Sequence, residues 1–222
     1  MRFDILTLFP EMVEGVLSTS ITGRAAKAGY IEFHAHDIRD FSDNAHRHVD
    51  DTPYGGGSGM VMQAEPVYRC IRSVPRCENS RVIYMSPKGK ILTQSKAKAL
   101  SGLDQLIILC GHYEGIDQRV LDKYVDEEIS IGDYVLTGGE LPACVLVDCV
   151  SRMIDGVLAE QASYSDESIF AGLLEYPHYT RPPVWQGEQV PEVLRSGDHA
   201  KINEWRYRQS VEVTRRKRPD LI

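Results

Sequence analysis

Gln105-Leu106-Ile107-Ile108-Leu109-Cys110 stops at Gly111-His112-Tyr113-Glu114-Gly115, and this junction decides how the chain is read. Leu106 to Cys110 is apolar without alternation, which predicts a strand covered on both faces, as in parallel sheets flanked by helices. The same device occurs twice more. Arg81-Val82-Ile83-Tyr84-Met85 runs into Ser86-Pro87-Lys88-Gly89, and Glu127-Glu128-Ile129-Ser130-Ile131 runs into Gly132-Asp133-Tyr134-Val135-Leu136-Thr137-Gly138-Gly139. Helical stretches around Ser95–Ala99, Gln118–Lys123 and Leu141–Ile154 lie between and after them. Alternating strands and helices predict an α/β fold with a mainly parallel sheet.

Towards the N-terminus, Phe3 to Phe9 reads as a strand ending at Pro10, which opens a helix through Leu17. Ile31 to His36 reads as a second strand. Residues 37–60 are polar and carry turn signals at Thr52-Pro53 and Tyr54-Gly55-Gly56-Gly57-Ser58-Gly59; a helix is expected at Ala64 to Ser73. Towards the C-terminus, Ala159 to Gly172 is small, polar and acidic without periodicity and reads as a linker or lid. Prolines 177, 182, 183 and 191 prolong the irregular region, and Asp198 then caps a helix through about Arg215. Ile202, Trp205, Gln209 and Val213 share one face of that helix, and Lys201, Arg208 and Arg215 share another. The expected organisation is a sheet domain over 1–158, a linker or lid over 159–172 and a small helical domain over 173–222.

The net charge is −7, but residues 201–222 alone carry +4, leaving −11 for the rest. A basic tail on an acidic body suits a separate polyanion-binding element, or a solvated helix with Glu204/Arg208 and Glu212/Arg216 pairs at i,i+4 spacing. No apolar run approaches the roughly 20 residues that span a bilayer. The opening residues do not form a signal peptide, so a cytoplasmic location without a membrane partner is expected. Five cysteines without CxxC spacing read as reduced, mostly buried thiols; Cys110 at a strand end is a small core residue before it is a nucleophile. The pairs His34/His36 and His46/His48 lack a cysteine or carboxylate pattern to complete a metal site, and no metal site is assigned.

Ligands of open α/β sheets sit at the carboxyl ends of strands, where the three glycine-bearing loops would meet. Glycine lets backbone amides and carbonyls approach a flat ligand such as a purine. Neither a G-x-G-x-x-G after the first strand nor a P-loop lysine motif is present. Asp133 and Glu114 can contact a ribose or a cationic ligand, or serve only as turn carboxylates. The Tyr54–Gly59 loop can pack on a nucleobase or backbone, or be a plain loop.

Taken together, Tyr54 to Met60, Ser86 to Gly89, Gly111 to Asp117, Ile131 to Pro142, Ser151-Arg152, Pro177 to Pro182 and Gly197 to Arg206 resemble, in order, the bacterial tRNA (guanine-N1)-methyltransferases of the TrmD type, in the SPOUT class. The resemblance implies a deep trefoil knot, S-adenosylmethionine bound in the knot loops, and magnesium dependence without a defined site. It also implies a homodimer with a shared active site, and a C-terminal domain on tRNA, with methylation of N1 of guanosine at position 37. Carried over residue by residue, cofactor contacts fall on Tyr84, Met85, Ser86, Pro87 and Gly89; on Gly111, Tyr113 and Glu114; and on Ile131, Gly132, Tyr134, Leu136, Gly138, Gly139 and Pro142, with Asp133 and Val135 in the same run. The family's catalytic arginine matches Arg152. Its catalytic aspartate, counted from Arg152 without gaps, falls on Glu167, with Asp166 one place earlier as the alternative base. Methylation of ribose 2′-oxygen or another base by a related enzyme, and a non-catalytic RNA-binding module, remain the alternative functions.

Overall fold

The computed structural model describes residues 1–158 and 172–222. Two compact units divide the chain, Met1–Ala159 and Glu160–Ile222.

The first unit is built on a five-stranded sheet of β1 (Arg2–Thr7), β2 (Glu32–Asp37), β5 (Ser80–Ile91), β6 (Gln105–Cys110) and β7 (Glu127–Ser130), in the order β2-β1-β6-β5-β7. Every pairing within it is parallel. All six residues of β6, the central strand, are buried, which is why its sequence lacks alternation. Helices α1 (Pro10–Leu17), α2 (Ser20–Lys27), α3 (Ala64–Ser73), α4 (Gln94–Leu100), α5 (Gln118–Tyr124) and α6 (Glu140–Ser151) complete the unit, with a short antiparallel pair β3 (Asp50–Asp51) and β4 (Val61–Met62). Phe3, Ile5, Leu6, Ile83 and Leu106 to Leu109 are fully buried and form the heart of the core.

Two expectations are corrected, and one helix was not foreseen. The first strand ends at Thr7 rather than Phe9, because the Thr7 hydroxyl accepts the Phe9 N–H at 2.9 Å and turns the chain into α1. Helix α2 was not legible in a segment that is poor in apolar residues and holds Gly23 and the β-branched Thr22. Ser86-Pro87-Lys88-Gly89 is not a loop but the continuation of β5. Pairing of β5 with β6 ends at Met85 opposite Cys110, so the N–H that Pro87 lacks falls beyond that ladder. Beyond Met85 the strand shifts register against β7 and resumes pairing at Lys90.

In the second unit, β8 (Val184–Trp185) and β9 (Glu188–Gln189) form a hairpin through Gln186 and Gly187, both at positive φ, as a two-residue primed turn demands. A short helix α7 (Glu192–Arg195) precedes α8 (His199–Lys217). The Asp198 side chain caps α8 by accepting from the Lys201 N–H at 3.2 Å. Ile202 and Thr214 are buried on its inner side, where the Thr214 hydroxyl accepts the Leu174 N–H at 2.8 Å. Lys201, Arg208 and Arg215 are all exposed. Arg208 pairs with Glu204 at 2.8 Å as the spacing predicted, while Glu212 accepts from Gln209 at 3.3 Å.

Candidate cofactor site

The carboxyl ends of β5, β6 and β7 open into a cavity of about 270 Å³. Strand β5 contributes Tyr84, Met85, Ser86 and Pro87, and the loop after β6 contributes Gly111, Tyr113 and Glu114. The segment after β7 contributes Ile131, Gly132, Tyr134, Val135 and Leu136, then Gly138, Gly139 and Pro142. Two expected residues stand outside this wall. Gly89 lies where β5 presses on β7, and a β-carbon there would run into the Glu128 carbonyl, so its glycine serves strand packing. Asp133 sits in the same run as its lining neighbours but does not line the cavity. The sequence reading missed Lys88, His112, Gln118, Leu121, Glu128 and Thr137, which also line it. For Glu128 a signal existed: strand alternation sends Glu127 and Glu128 to opposite faces.

One end of the cavity is a tight join. The Gly139 N–H donates to the Gly111 carbonyl at 3.0 Å, and a β-carbon on Gly139 would stand 2.7 Å from the Cys110 Cα. Only glycine permits that approach. Beside it, the Glu140 carboxylate is 2% exposed and joins three elements. Thr7 Oγ1 at the end of β1 donates to Glu140 Oε1 at 2.6 Å, and His112 Nε2 stands 2.8 Å from Oε2. Burial works to raise the Glu140 carboxyl, but His112 and then Thr7 outweigh it and hold it below the ordinary carboxylate range. The Phe9 ring packs against His112 at 5.0 Å. A second hollow of about 290 Å³ lies beside this join, between Phe9, Met12 and Leu141.

On the β6 side, Tyr113 sits at φ 59, an uncommon conformation for a bulky residue, and its side chain stays half exposed at the cavity. The Glu114 N–H donates to the Met60 carbonyl and the Met62 N–H to the Gly115 carbonyl, both at 2.9 Å. These bonds tie the chain just after the Tyr54–Gly59 loop to the cavity's edge. Burial, followed by the charge of Glu128, pushes the Tyr84 phenol up to about 12.

Other candidates fall elsewhere. Cys110 is fully buried and its thiol is pushed far up by desolvation, which leaves it inert as a nucleophile. All five cysteines are free. His34 pairs with Glu32, and His36 with the buried Asp4, at 2.7 and 2.8 Å respectively. Among the described residues, no group of three or more His, Cys, Asp or Glu side chains is arranged to hold a metal ion. Likewise, no helix is long and apolar enough to cross a membrane. Arg152 is half-buried at the C-cap of α6 and does not line the cavity. Asp166 and Glu167 lie outside the described residues.

A parallel α/β sheet with a glycine-walled cavity at its strand ends defines a small-molecule-binding protein of the open-sheet class. The family model for tRNA (Guanine-1)-methyltransferase TrmD matches residues 1–222. Curated tRNA (guanine-N(1)-)-methyltransferases are similar along the whole chain. That of Ruminiclostridium cellulolyticum is 58% identical, covering 100% of this chain and 96% of its own. Those of Alkaliphilus metalliredigens and Clostridioides difficile are 54% and 53% identical, each covering 100% of this chain and 92% and 97% of their own. The chain belongs to the TrmD family.

Proposed function

We propose that this chain transfers a methyl group from S-adenosylmethionine to N1 of guanosine at position 37 of tRNA. The observation that carries the proposal is the cavity itself, lined together by the end of the β5–β6 ladder and by the segments after β6 and β7, the three stretches expected to hold the cofactor. The residues present fit that ligand. Backbone from Gly111 and from Gly132 to Gly139 offers donors and acceptors to a purine and ribose. Among the described lining residues, Glu114 and Glu128 against one lysine, Lys88, suit a ligand of net positive charge. When bound, the cofactor supplies a methyl group on a positively charged sulfur.

Guanine N1 carries a proton and is a poor nucleophile. The carboxylate of Glu167, or of Asp166 in the alternative register, accepts that proton. With N1 so unmasked, a bound donor would supply the methyl group, the N1–carbon bond forming as the C–S bond breaks and its electron pair stays on sulfur. Arg152 holds a planar, permanent positive charge beside O6, where negative charge develops. Magnesium dependence belongs to the same reading, without an assigned site.

The reading requires two copies of the chain. Helix α6 places its first turn at the cavity and Arg152 at its far end. Twelve residues of helix span about 18 Å at 1.5 Å per residue, so Arg152 stands well away from the cavity of its own chain. A partner chain would supply it. The surface supports such pairing: α1 exposes Met12 and Val16, α6 exposes Leu141 and Val145, and the two helices pack on each other. Four large apolar side chains on adjoining helices make a face suited to association. The Gly139–Gly111 bond, which brings the chain after β7 back onto the end of β6, is what a trefoil knot would require. Residues 1–158 form the cofactor domain in this reading, 159–172 a linker or lid, and 173–222 the tRNA domain, in the cytoplasm.

The deciding experiment is transfer of labelled methyl to tRNA transcripts with guanosine or adenosine at position 37, followed by nucleoside analysis. 1-Methylguanosine from the first transcript alone is expected. A 2′-O-methyl product, another base, or no transfer would overturn the reading. Single-turnover rates of Glu167→Gln and Asp166→Asn then assign the base: the true one loses on the order of 10²–10⁴ in rate.

A further inference from the structure

Strand β7 begins with two adjacent acids that have different surroundings. Glu127 lies against the Lys96 ammonium and 3.7 Å from the Arg81 guanidinium. Glu128 is register-paired with Tyr84 and lines the cavity, and its Oε2 is shut off from solvent with no hydrogen-bond donor. A carboxylate oxygen in that condition has lost water without gaining a donor or a cation, which is costly unless a ligand supplies one.

We propose that Glu128 is the charge-selecting residue of the cavity, its carboxylate set against the positive sulfur that S-adenosylmethionine carries and S-adenosylhomocysteine lacks. This inference rests on the methyl-transfer reading. The two molecules share adenine, ribose, ammonium and carboxylate, so backbone walls grip them alike. Ammonium and carboxylate cancel, leaving one net positive charge on the donor and none on the product. A carboxylate in the wall responds to that charge difference, and of the two that line the cavity, Glu114 and Glu128, it is Glu128 that has a buried oxygen with no partner among the described residues. Two unit charges roughly 8 Å apart, at an effective dielectric of about 20, interact strongly enough to change affinity by more than 10-fold.

The selection has a kinetic signature. An attraction to the charge on sulfur fades as the methyl group leaves, so it favours donor over product without assisting the transfer. A merely structural role would weaken both molecules together.

The test is calorimetric titration of S-adenosylmethionine and S-adenosylhomocysteine into the wild type and Glu128→Gln, which removes the charge and keeps the shape. We expect donor affinity to fall by about 10-fold or more and product affinity by less than about 3-fold. Equal weakening of both molecules, or no change in either, overturns the proposal. Should Glu128→Gln not fold, whether the cavity selects on charge at all is tested by titrating the wild type with the aza analogue, in which an amine replaces the sulfonium. Its affinity should fall as pH rises through the amine's pKa while that of S-adenosylhomocysteine stays flat; parallel profiles overturn the proposal. A wild type that binds neither molecule would instead sink the methyl-transfer reading.

Discussion

Replacing Glu140 with alanine probes how firmly the cavity's tight end is held. In the folded protein this carboxylate is almost wholly buried, accepts from Thr7 at 2.6 Å and meets His112 at 2.8 Å. Alanine would leave the buried Thr7 hydroxyl without its acceptor and take the carboxylate partner from His112 at the cavity's edge. Removing one member of a buried, hydrogen-bonded pair costs about 3–5 kcal/mol. Glutamine, which can still accept from Thr7 and donate to a neutral imidazole, should cost only about 1–2 kcal/mol. For a unit of this size the alanine change corresponds to roughly a 10 °C fall in melting temperature. Urea unfolding of the three proteins measures the difference directly. If Glu140→Ala unfolds within about 1 kcal/mol of the wild type, the network is not what holds the join, and the Gly139–Gly111 backbone bond suffices.

The same residue gives a signed pH dependence. Its folded pKa is depressed below the unfolded value, despite burial, by His112 and Thr7. The carboxylate's contribution is therefore complete above the unfolded pKa of about 4.3. It is lost as pH falls through the lower folded value. The stability gap between wild type and Glu140→Gln should hold near neutrality and narrow below about pH 4. A gap that widened in acid would contradict the assigned direction.

Reversing Lys201, Arg208 and Arg215 together should weaken tRNA binding and reduce the log–log salt slope by about 2–3, leaving S-adenosylmethionine affinity alone; filter binding across salt concentrations reads this, and an unchanged slope would mean the face is merely solvated. Val16→Glu with Val145→Glu places charges on the exposed apolar face of α1 and α6. Sedimentation should then give the mass of one chain, with methyl transfer lost; an unchanged mass would move the association surface elsewhere.

The fold was legible where packing alone decides. Helix α3 and strand β6 have the boundaries that periodicity predicted, because one face of α3 and both faces of β6 are buried. Reading failed where a residue's meaning depends on a partner distant in sequence. Pro87 and Gly89 look like loop residues until β6 is known to end at Cys110, opposite Met85, after which neither disturbs the sheet. The strand-end glycines pointed to where a site would lie, but its walls could be named residue by residue only through the family resemblance, which is most specific over Ile131 to Pro142. His112 could not, since an imidazole in a sequence does not show whether it faces a carboxylate, solvent or an enclosed cavity, and for Glu128 the alternation with Glu127 separated the two faces without showing which one met the cavity.

Arg152 marks the deeper limit. Its match to a catalytic arginine is a statement about sequence, and α6 adds the fact that sequence lacks: about 18 Å of helix separates it from the cavity that begins the same element. The catalytic and dimeric readings are therefore one claim. A chain active as a monomer would need another cation beside O6, and among the described residues Lys88 is the only lysine or arginine that lines the cavity. An active monomer in which Arg152→Ala was harmless would thus transfer the role to Lys88 and remove the reason for a shared site.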